Sequence, residues 1–471
     1  MLRKTKIVCT LGPACDNIQV LRKMAKAGMN VARLNMSHGT HSEQSARIKA
    51  VREISKEIAS PIAVLLDTKG PEVRVRTFAG GKAVLKEGDK FVLCAYETEG
   101  DSTRVAISFP FLYKYLKKGS EILADDGNIE LRVEKCSESE IVTTVIVGGI
   151  LSNRKSLNFP GTEIDMDYLS DIDKEDIAFG VKEGVDFIAL SFVRTASDVQ
   201  IIRDYLKTLN SKDILLISKI ENRQGVDNME EIIAISDGVM VARGDMGVEI
   251  PFEEIPPIQK RMIKSCYTAG KMVITATQML ESMITNARPT RAEISDVANA
   301  VYDGTSCTML SGETAAGKYP VETVKAMVKI IKHAEKNINY KNRFYNLPTA
   351  VGCIRDAVSH SATTAAHDLN AKAIIAVTYS GNTARNISRF RPQVPIIAPT
   401  TCEKVCSQLA LSWGITPVTA CEKAGTDELI DHAIERAKTT GLIKEGDIVV
   451  MVAGVPVGIG GNTNLMKIQI V

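Results

Sequence analysis

Apolar runs that stop abruptly at polar residues recur eight times in this chain, and amphipathic helical stretches separate most of them. The runs are Lys6–Thr10, Val31–Asn35, Ala63–Asp67, Phe187–Ser191, Leu215–Lys219, Gly238–Ala242, Met272–Thr275 and Cys307–Ser311. Stretches such as Asn17–Ala27, Ser197–Leu209 and Thr290–Asp303 have helical spacing. Eight alternating strands and helices leave few possible folds, and the strand number points to a parallel (β/α)8 TIM barrel. In such a barrel the reactive groups stand at the C-terminal strand ends, here Arg33, Asn35, Asp67, Ser191, Lys219, Asp245, Thr277 and Ser311. Each alone reads as a solvated loop residue; their joint recurrence points to a site.

The rhythm breaks once, between Asp67 and Ser191, over about 120 residues, far more than a connection needs. Short alternating strands fill the gap (Lys90–Cys94, Arg104–Ile107, Glu130–Val133, Ile141–Val147), with turns at Gly80-Gly81, Glu87-Gly88-Asp89 and Asp126-Gly127-Asn128. A small inserted β-barrel or sandwich over 71–159 fits, placed as a lid over the larger barrel (1–70 and 160–340). From about Tyr340 the order restarts as helix (Gly352–Leu369), strand (Ala373–Thr378), helix (Asn382–Phe390), strand (Pro395–Ala398), helix (Lys404–Leu411) and a final strand from Asp447. This predicts a doubly wound α/β domain over 341–471, reached through a linker at Asn337–Pro348.

The formal charge is +2 without long like-charge runs, so nothing favours a nucleic-acid or membrane-surface partner, and a metabolite is the expected guest. The ten cysteines include no CxxC pair and read as reduced thiols. No stretch approaches the roughly 20 apolar residues of a membrane span, and the apolar run near the N-terminus breaks at Gly12-Pro13. A cytoplasmic location is expected.

Glu221 and Asp245 end neighbouring strands without histidine or cysteine nearby, which suits a hard cation such as Mg²⁺. His38 and His41 lack a third ligand and read as solvated or substrate-contacting. Lys219 shares one side of a strand end with Glu221, where it stabilises charge on a transferring phosphoryl group or an enolate, or serves only as a structural partner of the carboxylates. Arg33 offers a planar fork for phosphate oxygens. Arg243-Gly244-Asp245 is expected to open a short helix whose free N–H groups hold a carboxylate, with Thr277 adding a hydroxyl. A guest bearing both carboxylate and phosphate is the simplest. Asn35, Ser37, Asp67 and Thr68 match K⁺ better than a second divalent ion, or form a hydrogen-bonded loop network.

The segments Thr5–Pro13, Arg33-Leu34-Asn35-Met36-Ser37-His38-Gly39, Leu66-Asp67-Thr68-Lys69-Gly70-Pro71-Glu72-Val73-Arg74, Ser218-Lys219-Ile220-Glu221-Asn222 and Thr275-Ala276-Thr277-Gln278-Met279-Leu280 resemble those of the pyruvate kinases, over essentially the whole chain. The resemblance implies transfer of the phosphoryl group of phosphoenolpyruvate to ADP, giving ATP and pyruvate in glycolysis. It implies that Arg33 and Lys219 hold the phosphoryl group, that Glu221 and Asp245 bind Mg²⁺, and that Gly244, Asp245 and Thr277 hold the carboxylate. Thr277, through water and Ser311, is the candidate donor to the enolate. Asn35, Met36, Ser37, His38, Arg74 and Lys155 would contact the nucleotide, which carries a second Mg²⁺. Asn35, Ser37, Asp67 and Thr68 would hold K⁺, and Glu72 supports K⁺ dependence, since relatives that dispense with the ion resemble those carrying lysine there.

Homotetramers and a phosphorylated allosteric effector are also implied, with the effector's phosphate at Thr378, Ser380, Gly381, Asn382 and Thr383 and the loop Gly454–Asn462 closing over it. Asn382 stands where relatives activated by fructose-1,6-bisphosphate often have a basic residue, leaving AMP or a sugar monophosphate open. The end at Val471 implies no additional C-terminal domain. Two other readings use the same residues: a Mg²⁺-dependent lyase or aldolase acting on a 2-oxo acid, and a catalytically silent sugar-phosphate sensor.

Overall fold

The computed structural model describes residues 2–346, 352–456 and 462–471. Eight strands, β1 (Lys6–Thr10), β2 (Val31–Asn35), β3 (Ala63–Asp67), β4 (Phe187–Leu190), β5 (Leu215–Ile220), β6 (Gly238–Ala242), β7 (Met272–Ala276) and β8 (Cys307–Leu310), pair in parallel around a closed barrel, with β1 meeting β8. Burial on both faces explains their near-continuous apolar sequence. Side chains alternate in role along each strand: Val8, Leu65, Ala189 and Met240 fill the barrel, whereas Ile7, Leu66, Ile188 and Val241 pack outward against the helical ring.

Helix starts follow local chemistry. Asn17 caps Ile18–Ala27, and Thr195 and Thr290 form reciprocal capping boxes with Asp198 and Glu293 at the starts of Ala196–Thr208 and Arg291–Asp303.

The insertion leaves after β3. Its seven-stranded sheet runs in the order Val73–Arg74, Ser156–Asn158, Glu121–Ala124, Ile129–Cys136, Glu140–Val147, Lys90–Cys94, Arg104–Ala106. A bridge between Val75 and Ile107 joins the two edges, so the sheet curls shut around Phe91, Leu93, Leu112 and Leu131. Lys82–Leu85 and Gly149–Ser152 form a separate ribbon.

The C-terminal unit has five strands, β9 (Ala373–Ala376), β10 (Ile396–Thr400), β11 (Ile415–Thr419), β12 (Ile448–Gly454) and β13 (Thr463–Ile470), in the order β11-β10-β9-β12-β13. All pair in parallel except β13. The helix Thr426–Lys438, β11 and β13 were not anticipated from sequence: Pro417 sits within β11, where an edge strand tolerates it, and β13, at the opposite edge, is half-exposed with no regular alternation of buried and exposed residues. The expected linker contains a helix, Tyr340–Tyr345; Pro348 lies outside the described residues.

This unit closes the mouth of the barrel opposite the catalytic strand ends. Ala410 and Leu411 join the barrel's interior cluster. Cys307 Sγ donates to Leu411 O at 3.0 Å and Lys6 Nζ to Ile415 O at 2.6 Å.

Candidate active site

The strand ends bring Arg33, Asp67, Ser191, Lys219 and Glu221 into one network. Asp67, 1 % exposed, accepts from Arg33 Nε at 2.6 Å and Ser191 Oγ at 3.2 Å, and lies 3.2 Å from Lys219 Nζ. Lys219 Nζ donates to Ser191 Oγ at 2.7 Å and sits 3.0 Å from Glu221 Oε1. Burial pulls the Lys219 ammonium down, yet Asp67, Glu221 and Asp245 outweigh it and hold the group above the ordinary lysine range. Asp67 is likewise pushed up by burial but held below the usual carboxylate range by Arg33 and Lys219. Lys219 therefore stays charged where a phosphoryl group would need it.

Glu221 is fully buried, and burial pushes its carboxyl up to about 8 despite Lys219, with Asp245 reinforcing the rise. Its Oε2 accepts from Phe192 N–H at 2.6 Å, and its Oε1 meets only the Lys219 ammonium at 3.0 Å. A fully buried carboxylate with a second carboxylate, Asp245, close enough to raise it, and no soft donors beside it, fits a hard divalent cation.

Asp245 lies in the first turn of the helix Arg243–Glu249. Gly244 N–H donates to Thr277 Oγ1 at 2.8 Å, so the two groups expected to share a substrate carboxylate meet each other. A Cβ on Gly244 would stand 3.0 Å from that hydroxyl, which makes glycine the residue allowing this approach. Thr277 and Gln278 have φ of 66° and 56°, outliers for side-chain-bearing residues. Arg243 Nη2 donates to Thr277 O at 2.6 Å while its Nη1 holds Asp296 at 2.8 Å. Glu313, fully buried, accepts from Leu280 N–H at 3.1 Å and Ser311 N–H at 2.6 Å, tying together the turns after β7 and β8.

The expected nucleotide residues are spread between barrel and insertion. Met36 is buried; Ser37 and His38 are exposed on the turn after β2, where Asn35 Oδ1 accepts from Ser37 N–H at 3.0 Å. Arg74 Nε donates to Glu72 Oε2 at 2.6 Å, and Lys155 Nζ contacts Asp125 Oδ1 at 2.5 Å. Thr68 is buried, its hydroxyl donating to Ala189 O at 3.3 Å. His41 is engaged by Asp176 at 2.6 Å and stacks on Phe179 at 4.4 Å. Asn158 Nδ2 donates to Glu249 Oε1 at 2.8 Å, linking insertion to barrel.

In the C-terminal unit a cavity of about 400 Å³ is lined by Thr378, Ser380, Asn382 and Thr383, joined by Arg355 and Lys423, which were not singled out from sequence. Thr378 Oγ1 accepts from Gly381 N–H at 2.9 Å, and Thr383 bonds Thr463 at 2.8 Å. The loop Gly454–Asn462 falls largely outside the described residues. Among the catalytic-face residues, Glu313 and the Phe192 amide also went unselected, and Arg243 was named only as part of the helix start and not for its hold on Thr277 O, because backbone contacts and a positive φ leave no composition signal.

Comparison with known proteins shows the family of the chain. Residues 2–324 match the pyruvate kinase barrel domain and residues 356–469 the pyruvate kinase alpha/beta domain. The chain belongs to the pyruvate kinase family. It is 48 % identical over 474 residues to the pyruvate kinase of Geobacillus stearothermophilus, covering all of this chain and 81 % of that one. It is 46 % identical over 475 residues to that of Clostridium acetobutylicum, covering all of both. The crystal structure of a pyruvate kinase from Cryptosporidium parvum superposes with a TM-score of 0.93 at 41 % identity, over 99 % of this chain and 96 % of the other. The reaction is therefore phosphoryl transfer from phosphoenolpyruvate to ADP, giving ATP and pyruvate. Pyruvate kinases generally use a divalent cation and K⁺. Among the described residues no helix is long and apolar enough to cross a membrane.

Proposed function

We propose that Arg33 and Lys219 hold the transferring phosphoryl group and that Glu221 and Asp245 hold Mg²⁺. The observation that carries this is the pair of nearly buried cations anchored on Asp67 beside Glu221, a fully buried carboxylate whose Oε1 meets only the Lys219 ammonium. Phosphoryl transfer needs positioning and charge neutralisation more than covalent chemistry, and this cluster offers both. Mg²⁺, when bound, neutralises charge on phosphoryl and enolate oxygens. Arg33 supplies in-plane donors to phosphate oxygens, and Lys219 follows the charge as it shifts from bridging oxygen to enolate. Gly244 and Asp245, at the helix start, orient the carboxylate with Thr277. Because Thr277 Oγ1 accepts from Gly244 N–H, its own hydroxyl hydrogen is left to donate, through water and Ser311, toward the enolate carbon.

In this reading Asn35, Ser37, Asp67 and Thr68 hold K⁺, and Asn35, Met36, Ser37, His38, Arg74 and Lys155 hold the nucleotide and its Mg²⁺. Residues 1–70 with 160–340 form the catalytic domain, 71–159 the lid and 341–471 a regulatory domain. A phosphorylated effector occupies the C-terminal cavity at Thr378, Ser380, Gly381, Asn382 and Thr383, with Arg355 and Lys423 supplying the positive charge that Asn382 lacks. The enzyme works as a cytoplasmic homotetramer. The test is pyruvate formation with Mg²⁺ and K⁺ present or singly omitted, in the parent and in Lys219→Gln. Loss of turnover without Mg²⁺, and a fall of at least about 10³-fold in kcat for a folded Lys219→Gln enzyme, are expected. Turnover surviving both changes refutes the assignment.

A further inference from the structure

At the seam between the C-terminal unit and the barrel, buried and half-buried positive charge exceeds the carboxylates available to it. Arg391 is 3 % exposed; its Nη1 donates to Ser388 O at 2.9 Å, and its Nη2 to Gly304 O at 2.9 Å and Ser306 Oγ at 3.2 Å. Its guanidinium lies 4.9 Å from the Trp413 ring and 5.7 Å from that of Tyr267, and its Nε has no partner. Arg385 donates from Nη2 to Ser380 O at 2.8 Å, and its Nη1 has no partner. Lys271 Nζ reaches only the carbonyls of Ala234 and Ser236, at 3.1 and 2.6 Å. Ser412, 1 % exposed, leaves its hydroxyl without a partner.

The nearby carboxylates are committed. Asp237 pairs with Arg203 and Asp356 with Arg389, at 3.0 and 3.1 Å. Among the described residues none forms an ion pair with Arg385, Arg391 or Lys271, although buried charges ordinarily find a counter-charge. Burial accordingly pushes Arg391 down to about 9 and lowers Arg385 as well. Lys271, Arg385, Arg391 and Ser412 all line one cavity of about 10 Å³ of space open to the centre of a water-sized sphere, too small for a phosphate ester.

We propose that this cavity binds a small monovalent inorganic anion of chloride size, held by Arg385 Nη1, Arg391 Nε and Ser412 Oγ, with Lys271 adding positive charge. The anion supplies the missing counter-charge and satisfies three donors at once. It also bears on the turn above. A Cβ on Gly381, at φ +84°, would stand 2.6 Å from Arg385 Nη1, so the guanidinium packs directly beneath the turn that contains Ser380. Occupancy of the cavity thus fixes the arginine on which that turn rests, whichever ligand the larger cavity takes.

The test uses the full chain. Crystals soaked in bromide are expected to show an anomalous peak in the cavity. Thermal unfolding at fixed K⁺ and ionic strength, in gluconate with increasing bromide or chloride, is expected to give a saturable rise in Tm. Arg385→Met is expected to abolish the saturable part. Ser412→Ala, the milder change, is expected to raise the half-saturating halide concentration about tenfold, as for the loss of one hydrogen bond to a charge. If Arg385→Met does not fold, the bromide peak and Ser412→Ala decide. Water in the cavity with no peak overturns the proposal. A Tm that climbs equally in gluconate and halide also overturns it, and a peak without saturable stabilisation means an adventitious ion only.

Discussion

Replacing Asp67 by asparagine keeps the shape of the side chain and removes the charge on which two catalytic-face cations rest. At an effective dielectric constant of about 20, the contacts of 2.6 Å to Arg33 and 3.2 Å to Lys219 correspond to gross attractions of roughly 6 and 5 kcal/mol. Most of this offsets the desolvation of a carboxylate that is 1 % exposed. The net cost of breaking such a buried pair is about 3–5 kcal/mol, because the cations are left with one carboxylate, Glu221, between them. Asp67→Asn should therefore lower the urea-unfolding free energy of the barrel by that amount. It should also make the site hungrier for anions: if only about 1.4 kcal/mol of the lost pairing is regained by a bound phosphate, affinity for inorganic phosphate rises about tenfold. Turnover should fall by at least about 10²-fold, since Arg33 and Lys219 lose the group that aims them. Calorimetric titration with phosphate, beside urea unfolding, reads both effects. A variant within about 0.5 kcal/mol of the parent, with unchanged phosphate affinity, refutes the view that Asp67 restrains the two cations.

Arg243→Met should lower kcat/KM for phosphoenolpyruvate by about 10²-fold, roughly 2.7 kcal/mol, with a smaller effect on KM for ADP, because it frees the Thr277 carbonyl; steady-state kinetics with each substrate varied checks the split. Activity should depend on K⁺, and Glu72→Lys should reduce the ratio of rates in K⁺ and Na⁺ buffers; full activity of the parent in Na⁺ alone contradicts the K⁺ assignment. Lys6 is pushed down by burial from 10.5 to about 8. Its folded pKa lies below the unfolded one, so the unfolded chain binds more protons between them. Stability should therefore rise with pH from about 8 to about 10.5, by at most about 3 kcal/mol for this lysine, and urea unfolding of Lys6→Met should show a shallower rise over that window.

The barrel was legible because period and length do not conflict in a parallel sheet: β1 to β8 are apolar runs that stop at polar residues, and the sequence boundaries fall within a residue or two of the strands. The network of Arg33, Asp67, Lys219 and Glu221 was legible for the same reason, since all four stand at strand ends that the fold must bring together. Arg243, Glu313 and Phe192 were not. Arg243 acts on the carbonyl of Thr277, Glu313 accepts backbone N–H groups, and Phe192 contributes its own amide, so the side-chain pattern identifies none of their partners. β13 failed differently: its residues do not alternate cleanly between buried and exposed, and nothing local says which sheet it edges or that it runs antiparallel.

What escaped the sequence also explains how the site keeps its shape. Phe192, Thr277 and Gln278 hold φ of 54°, 66° and 56° at the catalytic face, a conformation costing on the order of 1–3 kcal/mol per residue. Phe192 and the turn that carries Thr277 and Gln278 each meet a charged side chain. The Phe192 amide is taken by Glu221, and the Thr277–Leu280 turn is pinned by Arg243 at one end and Glu313 at the other. Burial raises the Glu313 carboxyl, and hydrogen bonds from its own amide and those of Leu280 and Ser311 are what favour the charged form there. The desolvation that makes these carboxylates costly and the strain that makes these turns costly thus relieve one another: backbone N–H groups that the strained turns expose are the partners the carboxylates need. The arrangement holds only as a set, which predicts that substitutions at Arg243 and Glu313 are strongly non-additive in kcat/KM. A double variant no worse than the poorer single one is the expected result, and simple additivity would show that the two ends of the turn act independently.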